Sequence, residues 1–214
     1  MDFVQDELRD FFGNINRVLF VPFALFDHDA YAGRVRKAFP CKLESLHQTN
    51  DHSAAIRDAE AIFIGGGNTF RLLKALYDHD LIGWIQERVH AGIPYLGSSA
   101  GSNVAGPTIK TTNDMPIVQP PTFDALNLVP FQINPHYLDP DPNSRHMGET
   151  REERLLQFLE ENSTPVIGLR EGSWLRIEKG SCELKGTNGA RLFRKKMPPI
   201  ELDNGNIDRF LPMP

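Results

Sequence analysis

Short apolar runs recur along the chain, separated by longer segments with helical periodicity. RVLFVPF (17–23) centres on Val18–Phe20 and reads as a buried strand. A helical segment over Ala30–Phe39 follows, then a short strand at KLESL (42–46). Ser53–Glu60 has a helical pattern, and AIFI (61–64) is again an apolar strand that stops at Gly65-Gly66-Gly67. Asn68 is placed to cap a helix reaching about Tyr77, a second helix covers about Leu81–Ala91, and the apolar run IPYLG (93–97) comes next. FQIN (131–134) and PVIGL (165–169) predict two more strands, with a charged amphipathic helix over Thr150–Glu160 between them. Strands alternating with helices imply βαβ crossovers. The fold class is therefore α/β, three-layered, around a mostly parallel sheet.

After Glu171 the pattern changes. WLRIE, CELK and ARLFR are short strands separated by turn residues, which predicts antiparallel hairpins extending one edge of the sheet on the C-terminal side. The Pro- and Thr-rich stretch 106–130 has no strong period and reads as a long functional loop. No internal repeat or linker interrupts the 214 residues, which are expected to form a single domain, 1–214. A net charge of −5 argues against a nucleic-acid surface, and no apolar run approaches a membrane span. The acidic, amphipathic opening MDFVQDELRDFF does not resemble a secretory signal. Two cysteines, Cys41 and Cys182, make neither a metal cluster nor a disulfide framework, which fits a cytoplasmic location.

Two glycine-rich turns fall at carboxyl ends of predicted strands, where open parallel sheets bind ligands. In IPYLGSSAGSNVA (93–105), Gly97-x-Ser99-x-Gly101 has the pattern of a nucleophile elbow, with Ser99 at the apex and the Ala100 amide facing any oxyanion. Close helix–sheet packing is the ordinary reason for such small residues, and the motif alone is a weak signal. GGGNTF (65–70) could be a plain turn with an Asn cap, or a phosphate loop, though no Lys-Ser/Thr follows. Beside a nucleophilic serine, Gly66 and Gly67 read as giving an oxyanion N–H. A serine needs a base. His28, His47, His52, His79, His90 and His146 sit in charged or helical contexts and read as solvated surface residues, whereas His136 follows FQINP at a strand end. Asp114 in TTNDMPIV and Glu171 after PVIGLR are the two candidate acids, although loop carboxylates are usually only solvated.

Taken in order, GGGNTF, GSSAGSN, TIKTTNDMPIV, QINPH, GETRE and VIGLREGSW closely resemble the peptidase E family of aspartyl dipeptidases, from about Val18 to about Arg194. The resemblance implies a fold like that of class I glutamine amidotransferases (flavodoxin-like) and metal-free, cofactor-free hydrolysis of Asp-Xaa dipeptides through an acyl-enzyme. It places the nucleophile on Ser99, the base on His136, and the oxyanion donors on Gly67 and Ala100. The family's acid has been assigned to the positions of both Asp114 and Glu171. Glu171 is favoured as the partner of His136, with Asp114 supporting the site or the substrate amine. Arg151 of GETRE would read the substrate's side-chain carboxylate, and Gly66 and Asn68 would line the substrate site. An exposed ion pair at a helix start is the commoner fate of such an arginine.

Some features depart from the family pattern. Family members open with a hydrophobic strand ending in Ser-Asn-Ser, for which this chain shows no counterpart, so an exposed sheet edge is expected. Ser98 and Arg170 also differ. The rival readings are a cyanophycinase-like peptidase and a catalytically impaired homologue that binds aspartyl peptides or a partner. The expected partner is a small peptide, with no nucleic acid and no membrane, and the chain is expected to be a monomer or homodimer.

Overall fold

A computed structural model describes residues 4–141, 143, 145 and 147–212. The first half runs α1 (Gln5–Phe12), β1 (Arg17–Val21), α2 (His28–Ala38), β2 (Lys42–Ser45), α3 (His52–Arg57), β3 (Ile62–Ile64), α4 (Thr69–Asp78), α5 (Ile82–His90), β4 (Tyr95–Gly97) and α6 (Ala100–Ala105). Its four strands pair in parallel in the order β2-β1-β3-β4.

The inner strands β1 and β3 are apolar along nearly their whole length because helices cover both faces, whereas the edge strand β2 carries Lys42 and Glu44. Alternate residues divide between two cores. Leu19, Val21, Ile62 and Ile64 pack with Leu72, Leu73, Leu76 and Ile85 of α4 and α5. On the opposite face Val18, Phe20 and Phe63 pack with Leu8, Phe12, Ala32 and Phe39 of the α1–α2 side. This is the three-layer α/β arrangement. β4 lies at one edge of its sheet, and its three residues are all half-buried.

The second half contributes β5 (Gln132–Pro135), α7 (Arg151–Glu161), β6 (Val166–Leu169), β7 (Ser173–Glu178), β8 (Ser181–Gly186), β9 (Ala190–Phe193), β10 (Ile200–Leu202) and β11 (Gly205–Asn206). β5 and β6 are parallel, and β9 and β10 continue from β6 antiparallel, giving the order β10-β9-β6-β5. One part of the expected C-terminal extension differs. β7, β8 and β11 form a separate antiparallel sheet. The reason is visible in β8, where Cys182 and Leu184 are buried against Ile133, Ile167 and Leu192. One face of the hairpin thus closes over the second sheet instead of lengthening it. Glu7 of α1 meets Arg176 and Lys185 of this hairpin and ties the first helix to it.

Residues 106–130 contain no helix or strand, yet Ile109 and Leu126 are fully buried. Backbone bonds from Ile109 to Phe123, Ala125 to Pro107 and Leu126 to Val104 hold this loop against α6. No helix among the described residues is long and apolar enough to cross a membrane.

Candidate active site

β4 ends at Gly97 and α6 begins at Ala100, so only two residues make the turn. Ser99 takes it with φ +52° and ψ −107°. A non-glycine residue held there stores about 1–3 kcal/mol of strain. The surroundings impose it: Ser98 N–H donates to Ile64 O (3.0 Å), Gly101 N–H to Ser98 O (2.9 Å), and the Ser102 hydroxyl to Gly97 O (2.9 Å). Tyr95, which sequence reasoning did not single out, donates its hydroxyl to Gly101 O at 2.6 Å. Gly101 must be glycine, since a Cβ there would stand 2.1 Å from Ile64 O.

The Gly65–Gly67 turn faces this elbow. A Cβ on Gly66 would lie 2.9 Å from Ser99 Cβ and 3.6 Å from Ser99 Oγ, so the nucleophile's side chain rests against the glycine turn. Gly67 has φ +138°, and a Cβ there would meet Ala24 O at 2.5 Å. Tyr31 stands over the turn, with its hydroxyl 2.5 Å from where a Cβ on Gly65 would lie. Among the described residues neither the Gly67 nor the Ala100 amide donates to a protein acceptor. Asn68 does cap α4, accepting from Arg71 N–H at 3.0 Å, while its Nδ2 donates to Met115 O at 2.8 Å. Both ends of its side-chain amide are therefore engaged within the protein.

His136 follows β5, and Glu171 lies two residues past β6. The parallel register sets Pro135 opposite Leu169, so the residues beyond both strands emerge side by side. His136 Nδ1 lies 2.5 Å from Glu171 Oε2. A carboxylate acceptor there places the proton on Nδ1 and leaves Nε2 as the basic nitrogen. His136 itself has φ +55°. Among the described residues no hydrogen bond joins Ser99 to His136. The two are brought toward one end of the molecule by Asn103 of α6, whose Nδ2 donates to Ile133 O at 3.2 Å. Asn103 is about 6 Å along the helix from Ser99, and Ile133 about 10 Å along the strand from His136.

Asp114 is elsewhere. Its Oδ2 accepts from Thr69 N–H (2.7 Å), the Thr69 hydroxyl (2.6 Å) and the Thr112 hydroxyl (3.3 Å), at the N-terminus of α4. Among the described residues it makes no hydrogen bond to His136, whose partner is Glu171. The Arg151 guanidinium is held below its ordinary pKa first by burial and then by Arg154, with Asp114 opposing. Arg151 opens α7 behind a capping box formed by Thr150 and Glu153, and its Nη1 is sealed from solvent with no acceptor among the described residues.

The remaining histidines require a correction. His28, His47 and His52 are half-buried rather than solvated, while His79 is exposed as read from the sequence. Their rings gather around Phe23, with His28, His52 and His79 at 5.3, 5.8 and 5.2 Å from its centroid and His47 at 5.4 Å from that of His28. His47 is only 12% exposed. They come from four separate elements, so no local pattern announces the cluster. His90 is exposed, as read from the sequence, and His146 lies outside the described residues.

The model of peptidase family S51 matches residues 1–185. The chain is 56% identical over 193 residues to peptidase E of Streptomyces coelicolor, covering 89% of this chain and 79% of that one. It is 50% identical over 200 residues to a probable alpha-aspartyl dipeptidase of Drosophila melanogaster, covering 91% and 83%. Among solved structures, a putative peptidase E from Listeria monocytogenes superposes with TM-score 0.58 at 22% identity, covering 90% of this chain and 93% of that one. A peptidase from an acI-B1 actinobacterium gives 0.65 at 16% identity, covering 94% and 87%. At those identities the structures speak for the fold.

Proposed function

The chain belongs to peptidase family S51, and from that premise we propose that it is a serine dipeptidase that hydrolyses Asp-Xaa dipeptides through an acyl-enzyme. Ser99 Oγ attacks the aspartyl carbonyl carbon while His136 Nε2 takes its proton. Glu171 fixes the Nδ1–H tautomer and balances the imidazolium. The free Gly67 and Ala100 amides receive the tetrahedral oxyanion. The C–N bond then breaks, His136 protonates the leaving amine, and water repeats the sequence on the ester, releasing aspartate and regenerating Ser99.

The observation that carries the substrate class is the Arg151 guanidinium, buried at Nη1 without an acceptor. A side-chain carboxylate supplies the missing acceptors in a bidentate fork. Asp114, anchored through Oδ2 beside Gly67–Thr69, keeps Oδ1 for the substrate's α-ammonium. The opposed pair thus reads the two charges of an N-terminal aspartate. Two free thiols, Cys41 and Cys182, are compatible with a cytoplasmic enzyme.

A binding-only homologue is the second reading, favoured by the missing hydrogen bond between Ser99 and His136. Hydrogen bonds of this kind often tighten only when substrate is present. Turnover of Asp-Leu by the purified protein, abolished in a folded Ser99→Ala variant, is the expected result. No turnover in the wild type, or turnover surviving in Ser99→Ala, overturns the serine mechanism.

A further inference from the structure

The His136–Glu171 pair cannot hold its own geometry. The two side chains are 52% and 71% exposed. Exposed ion pairs are worth about 0–1 kcal/mol and must fix two mobile side chains. The alignment has to come from the segments that carry them.

Those segments are joined three residues past His136 and one residue before Glu171. Arg170 Nε donates to Asp139 Oδ2 and Arg170 Nη2 to Asp139 Oδ1, both at 2.7 Å. The pair is a two-pronged fork, the geometry in which guanidinium and carboxylate bind most strongly. Arg170 is only 19% exposed, and its Nη2 also donates to Glu201 Oε2 on β10 at 2.9 Å. Its Nη1 donates to Asn188 O at 3.3 Å, and Asn188 Nδ2 in turn donates to Glu171 O at 2.6 Å. Between the two ends, Tyr137 N–H donates to Leu169 O at 3.0 Å. The His136 loop and the Glu171 loop are thus pinned on both sides of the dyad.

We propose that Arg170 and Asp139 are positioning residues that clamp the His136 and Glu171 loops together and so set the alignment of the imidazole toward Ser99. The proposal rests on the serine mechanism above and adds two residues to it. Neither touches the reacting atoms. The electrostatics agree with the geometry: the hydrogen bond to Asp139 is the main cause holding the Arg170 guanidinium further above its ordinary pKa, and Arg170 chiefly holds Asp139 below its own. β6 ends at Leu169, so Glu171 lies beyond the ladder that fixes its strand.

The test compares Arg170→Lys, Arg170→Gln and Asp139→Asn for Asp-Leu turnover, alone and combined with Glu171→Gln. Arg170→Lys keeps the charge but not the fork. Asp139→Asn is nearly isosteric at a residue 46% exposed, so folding is preserved and thermal unfolding checks it. Each single variant should lower kcat by about tenfold or more with KM changed by less than about twofold. In the Glu171→Gln background the same changes should lower kcat by less than about twofold, because the carboxylate through which the clamp aligns the imidazole is gone. A lysine that restores full kcat, or losses that multiply unchanged onto Glu171→Gln, would overturn the clamp. If Ser99→Ala is inactive while all three variants keep wild-type kcat, the clamp alone fails. If Ser99→Ala stays active, the mechanism fails first.

Discussion

Replacing Arg151 with methionine should separate substrate recognition from folding. Methionine keeps an unbranched apolar stem in the half-buried slot but removes the guanidinium. Nη1 is sealed from solvent and has no acceptor among the described residues, and burial is the leading cause depressing this guanidinium. An unsatisfied buried donor costs the folded state about 1–3 kcal/mol. Its removal should therefore leave stability intact or raise it, by about 2–4 °C in Tm for each kcal/mol recovered in a chain of this size. Recognition should suffer. A hydrogen bond to a charged group is worth about 1.5–3 kcal/mol, so kcat/KM for Asp-Leu should fall by about 10- to 150-fold. Asn-Leu lacks the charge that Arg151 reads, so its smaller rate should change less and the Asp-over-Asn preference should narrow. The assay is kcat/KM for the two dipeptides on both proteins, with thermal unfolding alongside. An unchanged preference together with a lowered Tm would mean that Arg151 is a structural ion and that specificity arises elsewhere.

Three further outcomes are expected. Gly101→Ala forces a Cβ to 2.1 Å from the Ile64 carbonyl, a backbone atom that cannot swing aside, so it should lower the urea midpoint steeply or abolish folding; a variant as stable as wild type refutes the packing described for the elbow. Glu171→Gln should reduce kcat by on the order of 10²–10⁴-fold with Tm unchanged, whereas Asp114→Asn should lose about 1 kcal/mol of stability as the N-terminus of α4 gives up a charged acceptor, and a reversed ranking in kcat would exchange their roles. The His28 and His52 imidazoles lie below the ordinary value of 6.5, first through burial and then through His47 and His79 respectively. Asp27 and Asp29 oppose the shift at His28 and Asp51 at His52, without reversing it. Because the unfolded chain then binds protons more readily, this stability is full above about pH 6.5 and is lost as pH falls through the lowered folded values. Urea midpoints at about pH 7.5 and 5.5 should differ, and a His28→Asn, His52→Asn double variant should flatten the difference.

The strands were legible because helices cover both sheet faces, so that Val18–Val21 and Ile62–Ile64 are apolar without alternation and stand out from their surroundings. Helix starts were legible where a cap carries them, as at Asn68 and Thr150. The hairpin after Glu171 was legible as strands but not as a layer. Alternation in β8 says that one face is buried, and it cannot say that Cys182 and Leu184 lie on β5 and β6 rather than facing helices. The His28 and His52 imidazoles beside Phe23 were misread for a related reason. Each has charged neighbours in sequence, and the apolar ring that gathers them belongs to another segment.

The same limit governs the choice between the two acids. Asp114 and Glu171 are both loop carboxylates, and nothing in their local sequence separates a histidine's partner from a helix-terminus acceptor. Register separates them. Pro135 pairs with Leu169, so the chain leaving β5 and the chain leaving β6 run out at the same height and His136 meets Glu171. Asp114 enters from a loop crossing the start of α4, where a free amide and two hydroxyls bind one of its oxygens before any imidazole comes within reach. A carboxylate accepting three such bonds is fixed in place, which suits it to act with Arg151 as one half of a charge-reading pair and unsuits it to follow a histidine through proton transfer. Among the described residues Glu171 has no such anchor, and its side chain bonds to His136 alone. That freedom is why the bidentate Arg170–Asp139 contact matters: the acid that must track the imidazole is left mobile, and the backbone beneath it is the part made rigid.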